Sequence, residues 1–252
     1  MAANLAFKAA LAGPRLIARS PLAVLAWVAV RLAEQYVSLA VLLAARLAGA
    51  VNGLGAVWAV LLALPFEAVL VAAILRAELK PQARAFGFLR LGRVEANMAG
   101  LLILAGLAGA LIAVPTSLAA AYLAFALKQP LLAGAALVTG SVVAVLALAR
   151  FAPATAMMVD RQRLDLIVAW RASKGAYLLV VLIVVGASMA DRLLGSAAQA
   201  LASQPPPISW EALLAPGRLI ILAWRSVTGV LALAVMGGAV ATVWRAAKQT
   251  VD

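Results

Sequence analysis

The chain has 252 residues, 66% of them hydrophobic and only 12% charged, and its mean hydropathy is +1.07. A soluble globular fold has no interior able to hide that excess, so the composition excludes one and points to a polytopic membrane protein. With neither Cys nor His, disulfides, thiolate or imidazole metal sites and histidine acid-base chemistry are excluded; the net charge of +12, lacking a polar domain to carry it, speaks for membrane orientation and anionic lipid, and against nucleic acid.

A hydrocarbon core about 30 Å thick takes about 20 helical residues to cross. Before the first stretch of that length, residues 1–20 are interrupted by Lys8, Pro14, Arg15 and Arg19, so no cleavable export signal is expected there. Six apolar stretches then follow, at residues 21–45, 53–75, 97–127, 130–150, 175–194 and 219–244. Pro21 suits a first helical turn, and residues 151–159 extend the fourth stretch as an amphipathic turn. The expected fold is all-α: one membrane domain over 1–252, a polytopic helical bundle of six transmembrane helices with amphipathic interfacial segments.

Arginine and lysine placement tests that count. Lys8, Arg15 and Arg19 precede the first span, and Arg245 and Lys248 follow the sixth. Arg76, Lys80, Arg84, Arg90 and Arg93 follow the second, and Arg150, Arg161, Arg163, Arg171 and Lys174 follow the fourth. Six spans put all of these on one side and leave Arg46, Lys128, Arg192 and Arg218 on the other. Both termini are therefore expected in the cytoplasm, in a bacterial inner membrane.

The two long basic connections read either as polar linkers or as segments lying on the lipid surface. In the first, Phe86, Phe88, Leu89, Leu91 and Val94 alternate with Arg84, Arg90 and Arg93; in the second, Leu164, Ile167, Val168 and Trp170 accompany Arg161, Arg163, Arg171 and Lys174. The interfacial reading turns the apolar groups to lipid and the cations to phosphates or to a partner protein. On the opposite side, Pro205, Pro206 and Pro207 stiffen a long connection, and Ser209 is placed to cap a short helix from Trp210 to Leu214. Residues 169–175 and 223–229 share Ala, Trp, Arg and Gly at equal offsets, a weak sign of duplication.

Charges inside spans are costly and therefore informative. At 1.5 Å per residue, Arg31 stands about 15 Å and Glu34 about 20 Å above the cytoplasmic edge, Glu67 about 14 Å, and Arg225 about 20 Å. Heights thus match Arg31 with Glu67 and Glu34 with Arg225, while Arg31 and Glu34, three apart on one helix face, are also placed to pair directly; spans one, two and six are predicted to meet around a charge-balanced cluster, with Gln35 and Tyr36 beside it. Packing pairs are the simplest use of such a cluster; an ion or solute path is the other. Pro65 and Pro115 predict kinks, with Thr116 and Ser117 available to the backbone groups freed at the second.

Asp160 and Asp165, flanked by arginines, do not make a metal motif, and no HExxH, GxxxxGKS/T or GxSxG occurs. The expectation is a non-enzyme without cofactors. Residues 74–97 and 149–175 resemble a family of bacterial, especially alphaproteobacterial, multi-span inner-membrane proteins, similar to the membrane domain found beside some glycerophosphodiester phosphodiesterases. Leu89, Arg90, Leu91, Gly92, Glu95, Pro153, Asp160, Trp170 and Gly175 carry the likeness. It implies an all-helical inner-membrane fold and no hydrolysis, since the accompanying hydrolase domain is not expected in a chain without His. The function expected first is a structural or accessory protein that binds another membrane component or anionic lipid. The alternative is a transporter of a small or amphipathic solute that uses Arg31, Glu34, Glu67 and Arg225.

Overall fold

A computed structural model describes residues 2–49, 52–82, 85–126, 128, 130–174, 176–202 and 209–251. Every regular element among the described residues is a helix, without strands, as backbone in hydrocarbon requires when every N–H and C=O must be paired within its own segment. Among the described residues six helices are long and apolar enough to cross a membrane. They are α2 (Pro21–Leu47), α3 (Asn52–Leu79), α4 (Arg93–Phe125), α5 (Pro130–Ala149), α8 (Tyr177–Ala202) and α10 (Pro216–Val251). The shorter elements are α1 (Ala2–Arg19), a 3-10 turn at Ala85–Phe88, α6 (Ala152–Arg161), α7 (Leu166–Ser173) and α9 (Trp210–Leu213). The chain is thus a multi-pass membrane bundle.

Helices α3 and α10 form its centre. They bury 33% and 39% of their most apolar stretch inside the protein, against 12% for α4. α10 touches α1, α2, α3, α6, α7, α8 and α9. At 36 residues it is about 54 Å long, so it tilts or projects beyond the hydrocarbon. α4 and α5 pair as a hairpin that meets the rest through α3, α6 and α8. Leu104, Leu107, Leu111 and Leu118 on α4 are exposed, which is the surface a lipid-facing helix needs. Inside the hairpin a Cβ on Gly140 would come within 2.5 Å of the Thr116 hydroxyl oxygen, so the two helices cross where one side chain is missing.

Both prolines sit inside unbroken helices. The Thr116 hydroxyl donates to the Ile112 carbonyl at 2.9 Å, one residue beyond the Leu111 carbonyl whose helical donor Pro115 removes.

Three elements depart from the sequence reading. Residues 2–19 are a docked helix and not a tail: Ala9, Ala12, Gly13 and Leu16 form the buried face, laid against α10 at a crossing made of glycines. A Cβ on Gly13 would lie 2.5 Å from the Val235 Cα, and one on Gly238 would lie 2.7 Å from the Gly13 nitrogen. Residues 152–161, expected as an amphipathic continuation of the fourth stretch, do continue it toward Arg161 as a helix of their own, and what departs is its burial: Ala154, Ala156, Met157, Met158 and Val159 are buried with Leu75, Met98 and Trp244, under α3, α4, α7 and α10. Finally, Phe88 turns its ring into the protein, 2% exposed, beside Trp27 and Leu70, and not toward lipid. The left-handed Gly87 and Phe88 backbones, at φ 64° and 65°, fold the connection back. Trp27 donates to the Gly87 carbonyl at 2.8 Å, and Arg76 donates to that of Phe88.

α9 forms where Ser209 was expected to start it, with the Ser209 hydroxyl accepting from the Ala212 N–H at 3.2 Å. Pro205, Pro206 and Pro207 lie outside the described residues, as do Arg84 and Gly175.

Candidate functional site

The spans bring a group of charged side chains together away from the basic end. Arg31 on α2 lies about 15 Å along its helix from Pro21, and Glu67 about 18 Å from the end of α3 at Leu79; the antiparallel pair meets at this level. One Arg31 Nη1 donates to both Glu34 and Glu67, so the ion pair matched by height forms, and the carboxylate three residues along the same helix joins it. Room for the guanidinium comes from α10: a Cβ on Gly229 would lie 3.2 Å from Arg31 Nε and 3.8 Å from an Asp191 carboxylate oxygen. Asp191 stands on α8, about 21 Å from Tyr177, and accepts from the Thr228 hydroxyl at 2.9 Å.

Glu34 therefore bonds to Arg31, not to Arg225. Arg225 instead lies across Gly195 on α8, its Nε 3.5 Å from where a Cβ would be. The neighbouring Trp224 indole donates to the Leu194 carbonyl at 3.2 Å. Among the described residues neither Arg225 nor Arg192 makes an ion pair. These groups enclose a cavity of about 190 Å³ lined by Arg31, Gln35, Asp191, Arg192, Ser196 and Arg225. Two buried atoms of these lining residues, Arg31 Nε and Gln35 Oε1, have no hydrogen-bond partner among the described residues. The exposed guanidiniums of Arg192 and Arg225 can take a small anion or zwitterion, with Asp191 receiving the latter's cation.

Asp191 is the member that sequence reasoning missed. Its place close to the end of the fifth apolar stretch hid it, yet it falls about one helical turn N-terminal to Gly195, the residue Arg225 crosses, and the same height bookkeeping applied to α8 would have found it.

At the opposite, basic end the connections are bolted to the bundle. Arg76 on α3 donates to Glu95 on α4, both side chains under 10% exposed. Lys80 donates to the Val159 and Asp160 carbonyls at 2.9 and 3.0 Å, placing its charge at the negative end of α6. The Asp160 carboxylate accepts from Trp244 at 3.1 Å and Lys248 at 2.9 Å. Arg245 reaches the backbone and carboxylate of Glu78. Glu95 and Asp160 are thus structural ties in this chain.

Of the cations read as headgroup or partner contacts, Arg90, Arg93, Arg163, Arg171 and Lys174 are exposed. Arg161 is half-buried, with its guanidinium over the Trp244 ring at 5.4 Å. On α7, Asp165 caps the helix, accepting from the Ile167 and Val168 N–H groups; Leu166, Ile167 and Trp170 are exposed, and Val168 packs against the core. Arg150 lies over the rings of Trp170 and Tyr177, at 5.1 and 4.0 Å. Among the described residues no three acidic side chains gather as a cation would require.

No protein-family model, curated protein or solved structure matches this chain.

Proposed function

We propose that this protein is a transporter of a small solute, an anion or a zwitterion, across a bacterial inner membrane, and that the Arg31–Glu34–Glu67 cluster with Asp191, Arg192 and Arg225 binds it. The observation that carries the reading is the cavity among these residues: ionisable groups in a span are expensive and belong where they serve a path or each other. Here Arg31 is shared by two carboxylates, while Arg192 and Arg225 have none among the described residues. An entering carboxylate supplies the missing charge, and two competing acids on Arg31 offer a low-cost exchange of partners. The reading assigns no catalytic step, which suits a composition without His or Cys. The distribution of Lys and Arg supports cytoplasmic termini.

Proteoliposome uptake, measured across a panel of labelled small carboxylates and amino acids, tests this. A transported member should lose about tenfold or more of its flux in Glu67→Gln and in Arg225→Met, one charge-assisted contact accounting for that much. Unchanged flux in both variants removes the cluster from the path.

The exposed Leu166, Ile167 and Trp170 on α7, beside Arg163, Arg171 and Lys174, favour a second reading: an accessory protein seated on anionic lipid or on a membrane partner through this helix. The likeness to the membrane domains found beside phosphodiesterases belongs to the same proposal.

A further inference from the structure

The docking of α1 creates a feature that neither reading uses. Lys8, Arg15 and Arg19 fall on one stripe of α1, adjacent to its buried face. The stripe looks across a groove of about 330 Å³ at Thr242, Arg245 and Gln249 on α10, which fall on one face of that helix by the same spacing. Four cations and one carboxylate line this groove, and the carboxylate, Glu78, is already held by Arg245. Among the described residues Lys8, Arg15 and Arg19 make no ion pair. Glu78 lies within electrostatic reach of Arg19, so the protein relieves their mutual repulsion only in part, and all three are exposed. The volume lies in the range of small-ligand sites.

We infer that this groove binds the phosphate-bearing headgroup of an anionic phospholipid from the adjoining leaflet. Charge selects the ligand class: four cations against one carboxylate at the end of an apolar bundle call for a phosphate-bearing anion, and Arg15 and Arg19 offer the fork that grips phosphate oxygens. Position selects the source. Leu5 and Ala12 floor the groove, and Phe7, one residue from Lys8, is 65% exposed on α1. An acyl root therefore finds apolar surface beside the headgroup. The site is distinct from the α7 surface and shares none of its residues.

The test is native mass spectrometry of the full chain released from nanodiscs of phosphatidylcholine containing phosphatidylglycerol. The wild-type chain should retain one phosphatidylglycerol in preference to phosphatidylcholine. Lys8→Gln/Arg15→Gln/Arg19→Gln should lower that preference by roughly a hundredfold, three surface cations each contributing about fivefold. Arg163→Gln/Arg171→Gln/Lys174→Gln should leave it in place. Arg15→Glu alone, with thermal unfolding followed in parallel, separates loss of the site from loss of the fold: retention should fall while the melting temperature holds. Equal retention by the α1 triple variant overturns the proposal, as does loss in the α7 variant alone. In discs of pure phosphatidylcholine, inorganic phosphate or glycerol 3-phosphate should bind weakly; saturation by either at micromolar concentration would make the ligand soluble and contradict the lipid source.

Discussion

Arg76 and Glu95 show how much one buried charge pair commits this fold to. Both side chains are nearly inaccessible, and the guanidinium also holds the Phe88 carbonyl, so a single residue fastens α3, α4 and the turn between them. Removing one partner of such a pair leaves the other charge buried and alone, a loss of about 3–5 kcal/mol. Arg76→Met should therefore destabilise the detergent-solubilised protein by that order, while the double variant Arg76→Met/Glu95→Met should recover much of it. Chemical unfolding of the four proteins in the cycle checks this; a double variant as unstable as the single one would show that the Phe88 contact, not the charge, carries the effect. Residues such as Arg31 and Glu67 were legible in the sequence because helical rise fixes depth and depth limits the partners. Arg76 was not, because its partner enters through a folded-back turn whose shape rests on two left-handed backbones.

Among the elements, the spans were the most legible, since length and apolarity alone decide whether a helix crosses. The short helices were not. α1 carries too many charges to resemble a span, and its buried face of Ala9, Ala12, Gly13 and Leu16 has meaning only against α10. α6 reads as no more than an amphipathic extension of the fourth span until its methionines meet the core. In both cases what was missing was the neighbour that covers the element. The α1 crossing makes a direct prediction. A Cβ on Gly238 would lie 2.7 Å from the Gly13 backbone nitrogen, and backbone cannot rotate away as a side chain can. Gly238→Val should cost about 1–3 kcal/mol through overpacking and lift α1, so that trypsin cuts sooner after Lys8, Arg15 and Arg19. Gly100→Ala, where no atom lies within 4 Å, should digest like the parent protein.

At the scale of the whole molecule, the sequence's excess of cations is sorted into two places with different chemistry. One end gathers the basic connections and ties them down through Lys80, Arg76, Arg245 and Lys248. Deeper in the spans, charges are fewer and mostly shared, with the cavity at Arg225 as the exception. Transport, lipid binding and the seating of α7 all require this sorting to coincide with one membrane orientation. Because the chain has no Cys, single cysteines report that orientation without background. Leu91 and Ile167 are exposed at the basic end, and Trp210 is exposed at the other. Treated from outside with a membrane-impermeant maleimide, spheroplasts carrying Trp210→Cys should label while intact, and those carrying Leu91→Cys or Ile167→Cys only after permeabilisation. Labelling of Leu91→Cys in intact spheroplasts, with Trp210→Cys protected, would contradict the account.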